Sequence, residues 1–263
     1  GNESTTTKAI FDLLNYISKH KEEPLVESIL NNCSLCIIPM LNPDGAEAFT
    51  RVNANEIDLN RDAQDLSQPE SKILSQVFKN FNPDFCLNLH DQRTIFSAGN
   101  SPEPAVLSFL TPSMDKYRQI FPSRIKSMQL IAKIAQDLSE LLPGRIGRYD
   151  DGFNINCTGD TFQSTQTPTI LFEAGHFPED YKREETRKYV FLALVSVLKS
   201  ISEKNFQQID YQKYQEIPEN EKLFSDIILR DANSEIGVVD IAIQYKEVIK
   251  DGKLAFFPEI EKI

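Results

Sequence analysis

No run of apolar residues in this chain approaches the roughly 18 that a bilayer-spanning helix needs, which argues against a membrane segment within it. Nor does a signal peptide open it, so any such segment would lie upstream and the compartment stays undetermined. Positive charge is also short. With 28 Lys+Arg against 39 Asp+Glu, the formal charge is −11 and no basic stretch stands out. That balance disfavours nucleic acid and anionic membrane as partners and suits a soluble protein. Cysteine is scarce: Cys33, Cys36, Cys86 and Cys157 are too few for a disulfide scaffold. Cys33 and Cys36 form a C-x-x-C, but no second Cys or His pair stands at a spacing that would complete a zinc site. The pair borders an apolar run instead of opening a helix, so the thiols read as core residues.

What is plentiful is apolar and aromatic material. Of 263 residues 40% are hydrophobic, including 17 Phe and 8 Tyr. This suffices for one large α/β domain, or one domain with a small appendage. Ser4-Thr5-Thr6-Thr7 is placed to cap a helix whose apolar residues Ile10, Leu13, Leu14 and Ile17 recur at helical spacing. A strand is predicted over residues 34–40. The turn-rich Asn42-Pro43-Asp44-Gly45 and a polar segment to Asp65 follow. Ser67-Gln68-Pro69-Glu70 reads as a capping box opening a helix that stops at Asn82-Pro83. Phe85 to Leu89 reads as a second strand, delivering His90, Asp91 and Gln92 at its end. A long helical region is predicted over residues 114–142, interrupted near Pro122. Thr169 to Phe172 makes a third strand ending in Glu173-Ala174-Gly175-His176, and a last helix begins near Pro178. Strands alternating with helices imply a largely parallel mixed sheet flanked by helices on both faces. Beyond Tyr211 short alternating runs surround Lys250-Asp251-Gly252-Lys253, a strong hairpin signal. The expected division is therefore a catalytic unit over residues 1–210 and a small β-rich appendage over 211–263.

In open α/β sheets, functional groups collect beyond the carboxyl ends of the strands. Here those ends carry Arg51, Asp58, Asn60 and Arg61 after the first strand, His90 after the second and Glu173 after the third. A histidine, a carboxylate base and two arginines on one edge suit hydrolysis of an amide in a substrate that bears its own carboxylate.

Four ordered motifs then carry a resemblance. Asn42-Pro43-Asp44-Gly45, Arg51-Val52-Asn53 with Asp58-Leu59-Asn60-Arg61, Leu89-His90-Asp91-Gln92 and Phe172-Glu173-Ala174-Gly175-His176 resemble those of the zinc metallocarboxypeptidases of the carboxypeptidase A type, the funnelins, over roughly residues 1 to 205. The resemblance implies one zinc held by a His-x-x-Glu pair and a later histidine, leaving a position for water. By it Glu3 and His90 are metal ligands. The first histidine would stand immediately before Gly1, so the chain is expected to start just after that ligand, with an incomplete metal site and without the strands that precede it. His20 and His176 are expected to take no part in metal binding. Glu173 would be the general base, Arg51 the group that stabilises the oxyanion, and Asn60 and Arg61 the grip on the substrate carboxylate. Asp58 would orient the first zinc histidine, and Tyr149 would be the mobile tyrosine that closes over substrate. The expected substrate is a peptide or N-acyl amino acid with a free carboxylate. Beside the carboxypeptidase reading stand an amidohydrolase of the desuccinylase and aspartoacylase type, which shares a His-Gly-x-Glu start, and a binding domain without catalysis. An exposed sheet edge would favour dimerisation, although the oligomeric state is not fixed by the residues.

Overall fold

The computed structural model describes residues 1–263. In chain order the helices are α1 (Thr5–Lys19), α2 (Pro24–Asn32), α3 (Pro43–Ala48), α4 (Pro69–Phe81), α5 (Pro122–Leu138), α6 (Thr158–Ser164), α7 (Glu184–Glu203) and α8 (Lys213–Glu216). The strands are β1 (Cys86–Asp91), β2 (Phe96–Ala98), β3 (Leu107–Leu110), β4 (Ile146–Arg148), β5 (Thr169–Ala174), β6 (Asn220–Lys222), β7 (Ile227–Ser234), β8 (Gly237–Lys250) and β9 (Lys253–Lys262). Four strands form the central sheet in the order β1-β5-β3-β4. The β1–β5 and β3–β4 pairs are parallel and β3–β5 is antiparallel, so the sheet is mixed and largely parallel.

The two faces follow from the strand period of two. Ile170, Phe172 and Ala174 of β5 point to the main core, where they meet Ala9, Leu13 and Ile17 of α1, Ile131 and Ile134 of α5, and Val190, Leu194 and Val197 of α7. The opposite face carries α6, which packs on β1 and β5, and α4 stacks its Phe78 ring on Phe162 of α6 at 4.0 Å. Helices thus cover both faces, as the alternation of elements predicts. Tyr214 and Ile217 also enter the main core, so the first residues past 210 pack with the helical layer.

Several elements differ from their sequence-based expectation. Residues 34–40 pair with no strand: β1 lies at the edge of the central sheet, and Pro39 O instead accepts from Thr7 Oγ1 at 3.0 Å. A strand is defined by its partner, and apolar character alone does not supply one. The helix predicted from 114 begins only at Pro122, because Asp115 accepts from the N–H groups of Tyr117 and Gln119 and ties the preceding residues into a turn. The last helix starts at Glu184, where Asp180 accepts from the N–H groups of Glu184, Glu185 and Thr186.

The C-terminal strands β7, β8 and β9 form a separate antiparallel sheet in that order. Asp251 and Gly252 both have positive φ, at 52° and 69°, which is the turn that a two-residue Asp-Gly hairpin requires.

Candidate active site

β1 and β5 run parallel with His90 opposite Glu173, so both side chains leave the same face at the carboxyl end of the sheet. Glu3, from the residues just before α1, meets them there. Its Oε2 lies 2.7 Å from His90 Nδ1, and its Oε1 accepts from Arg51 Nη1 at 3.4 Å. Arg51 Nε in turn donates to Asp58 Oδ2 at 2.8 Å, while Asp58 Oδ1 accepts from Asn60 N–H. One chain of contacts therefore runs from His90 through Glu3 and Arg51 to Asp58.

What presents Glu3 to His90 is the start of α1. Ser4 occupies the N-cap position and makes no side-chain cap. The free N–H groups are taken instead by Asp91, whose Oδ2 accepts from Thr5 N–H at 2.8 Å and Oδ1 from Thr6 N–H at 3.3 Å. Since Asp91 follows His90 on β1, the strand that carries the histidine also anchors the helix that follows Glu3. Arg183 braces the same end, donating to the carbonyls of Gln92 and Ala174 at 2.9 and 3.1 Å.

The electrostatics are those of a crowded acidic site. Burial pushes the Glu173 carboxyl up to about 7; His90 and Arg51 pull it down, and the charges of Glu3 and Asp91 push it further up. Burial acts to raise Glu3 as well, but the hydrogen bond and charge of His90, together with Arg51, hold it below the usual carboxylate range. The same pairing raises His90, although burial alone would lower it. His90 Nε2 is buried and has no partner.

The remaining predicted residues lie around this centre. Asn60 Oδ1 accepts from Thr158 N–H at the start of α6, 3.2 Å away, which leaves Nδ2 as its donor. Arg61 is exposed, with Nη1 on the carbonyl of Asn60 at 3.3 Å. Tyr149 follows β4, half-buried, with its ring 5.2 Å from that of Phe96. Its hydroxyl is held above its ordinary pKa by burial and then by the charge of Glu173. His20 pairs with Glu23 at the end of α1, and His176 lies against the Tyr181 ring at 5.0 Å.

Two polar residues here escape a reading by motif. Asp160, in the first turn of α6, is buried, accepts from Asn154 N–H and feels the charges of Arg61 and Arg124. Asn220 reaches the site from β6, far along the chain. The Asp-rich stretch before 159 marks the neighbourhood of the first, while no local pattern marks the second.

Glu3 and His90 supply one carboxylate oxygen and one imidazole nitrogen, a donor set of the kind zinc takes. No group of three or more His, Cys, Asp or Glu side chains is arranged to hold a metal ion. The structure thus brings together Glu3 and His90, two residues expected from the resemblance to be ligands.

Comparison with known proteins points the same way. Residues 1–103 match the zinc carboxypeptidase family. Carboxypeptidase SOL1 of Arabidopsis thaliana is 35% identical over 101 residues, covering 34% of this chain and 21% of that protein. The protein named Probable carboxypeptidase 2 from Trichophyton verrucosum is 26% identical over 179 residues, or 66% of this chain and 32% of its own. The chain thus spans about a fifth to a third of the length of these relatives. A crystal structure from Shewanella denitrificans OS-217, provisionally named a carboxypeptidase A, superimposes with a TM-score of 0.58 at 16% identity, covering 79% of this chain and 55% of that one. It shares the fold. No helix here is long and apolar enough to cross a membrane.

Proposed function

From a chain whose first 103 residues match the zinc carboxypeptidases, we propose a metallocarboxypeptidase site that hydrolyses the C-terminal peptide bond of a peptide. The observation that carries this reading is the convergence of Glu3, His90, Arg51 and Glu173 at one end of β1 and β5. Residues 1–210 form the proposed catalytic unit and 211–263 its appendage.

Glu3 and His90 are the residues of this chain that would hold zinc; the family pattern pairs such a glutamate with a histidine three residues before it. When bound, the metal supplies a Lewis acid and lowers the pKa of its water towards roughly 7. Glu173 is the proton acceptor: it stands at the end of β5 opposite His90, takes a proton from water and returns it to the leaving amine. Arg51 already carries Asp58 and Glu3 on its guanidinium, and its role is to donate to the oxygen on which negative charge develops. Arg61, exposed and planar, binds the terminal carboxylate of the substrate, and Asn60 adds its Nδ2. Grip on that carboxylate restricts cleavage to the last peptide bond. Tyr149 covers the bound residue from the β4 side.

The test is zinc content and hydrolysis of blocked dipeptides and N-acyl amino acids by this chain, beside a chain with a histidine placed before Gly1. The expected result is one zinc per extended chain and release of the C-terminal residue, lowered about 10²–10⁴-fold by Glu173→Gln. Turnover of N-acyl amino acids alone would move the assignment to the amidohydrolases. Stoichiometric zinc with no hydrolysis of either substrate would overturn a catalytic role.

A further inference from the structure

Tyr149 is expected to be mobile by resemblance, yet the fold fastens it from the far end of the chain. Residues 217–220 run alongside the end of β4, where Arg148 engages three of them. Arg148 N–H donates to Pro218 O at 2.8 Å, Arg148 Nε to Ile217 O at 3.3 Å, and Arg148 Nη2 to Glu219 Oε1 at 2.8 Å. Tyr149 N–H donates to Phe109 O at 3.0 Å. β6 then pairs antiparallel with β2, setting Asn220 opposite Ala98 and Lys222 opposite Phe96, whose ring lies edge-on to that of Tyr149.

The Asn220 amide sits at the junction. Its Nδ2 donates to Gln92 Oε1 at 3.0 Å and lies 2.9 Å from Ser108 Oγ, and its Oδ1 accepts from Ser108 Oγ at 3.0 Å. Ser108 stands directly opposite Glu173 across the β3–β5 ladder. Gly147 completes the fit, since a Cβ there would collide with Asn220 Oδ1. A glycine two residues before Tyr149 therefore makes room for this side chain, and its φ lies outside the left-handed range that would by itself call for glycine.

We propose that Asn220 is a positioning residue: it anchors β6 on Ser108 and Gln92, and through the β6–β2 pairing it sets Phe96 against the Tyr149 ring before substrate arrives. The proposal rests on the reading of Tyr149 as the residue that covers substrate, and it turns that residue from a swinging cover into a preset wall. Preorganisation of this kind removes the ordering cost that a mobile side chain meets on binding. It also gives the C-terminal segment a part in the site that no residue before 210 supplies.

The clamp can be read without peptidase activity, by acetylating the chain with N-acetylimidazole and following each tyrosine-containing peptide by mass spectrometry. Tyr117, 71% exposed, sets the rate of a free phenol, and Tyr214, buried, that of a protected one. Loss of the hydrogen bonds by which Asn220 anchors β6 is expected to raise Tyr149 labelling about tenfold in Asn220→Ala, with Tyr117 and Tyr214 unchanged. Unaltered labelling of Tyr149 in a folded Asn220→Ala chain overturns the proposal. Should that variant fail to fold by circular dichroism, Ser108→Ala decides: it removes only the hydroxyl that anchors the amide, and a selective rise at Tyr149 supports the clamp while none overturns it. In a zinc-loaded chain that cleaves peptide, Asn220→Ala is further expected to lower kcat/KM. A chain that never cleaves but shows selective labelling keeps the clamp and loses the peptidase reading, so the two failures are distinct.

Discussion

Asp160 is a carboxylate that the fold holds against its own charge. Burial pushes it from 3.8 up to about 6, even though Asn154 N–H, Arg61 and Arg124 favour the ionised form. Its folded pKa therefore lies above that of the unfolded chain. Below about pH 4 both states are protonated and nothing is lost; as pH rises through 6 the folded state must ionise a buried group and stability falls. Asp160→Asn keeps the acceptor for Asn154 and removes the charge. It is expected to melt a few degrees higher than the parent at pH 8, with the difference vanishing at pH 4, in paired thermal scans. Such a residue is hard to find by reading, because its shift comes from neighbours distant in sequence. Glu3, His90, Arg51, Asp58 and Glu173 were legible as a set because each sits in a short ordered motif; His90 and Glu173 do lie at strand ends, whereas Arg51 and Asp58 sit in a loop with no strand before it. Asn220 was not, since nothing around it in sequence distinguishes it from an exposed strand asparagine, and its function comes from Ser108, Gln92 and Gly147.

Helix starts show a related gap between local pattern and structure. Ser4 and Ser67 both stand where a capping hydroxyl is expected, and neither caps. Asp91 takes the first N–H groups of α1, and Asp62 accepts from the N–H groups of Ser67 and Gln68 ahead of α4. Carboxylates are preferred at these positions because they meet the helix dipole as well as the free N–H groups. Helix existence was readable from apolar spacing at α1, α4 and α7. The short α2 and α6 were missed because nine and seven residues hold too few turns for the spacing to register. Asp91→Ala removes the cap from α1 and is expected to lower stability by about 1–2 kcal/mol. Hydrogen exchange should show the amides of Thr5 and Thr6 losing protection while those of β5 keep it; equal loss in both would mean that Asp91 supports the whole sheet and not the helix start.

At the scale of the molecule, the three-stranded C-terminal sheet is joined to the rest through few polar contacts. Asp226 accepts from Tyr181 Oη at 2.6 Å, Thr94 Oγ1 donates to Gln244 Oε1 at 3.4 Å, and Arg183 lies 3.6 Å from Glu247 of β8. Tyr181, Tyr245 and Phe256 pack edge-on beside them. Arg183→Gln is therefore expected to loosen β8 selectively, seen as faster hydrogen exchange over residues 241–248 with little change in the helical core. Uniform acceleration would show that Arg183 serves the central sheet alone, through Gln92 and Ala174. The hairpin of this sheet was legible from Asp251-Gly252, whereas its docking was not, since residues more than 40 positions apart make it. Distance along the chain also sets the entropic cost of forming the site. The cap on α1 comes from a residue 86 positions later, and the Glu3–His90 contact closes a span of 87. Closing a loop of that length costs roughly 4 kcal/mol of chain entropy before any contact repays it. Pairing of β1 with β5, Cys86 opposite Thr169, is a closure of nearly the same length, so the site is assembled from two long-range events of about equal entropic cost, and neither metal-facing group is placed by local structure alone.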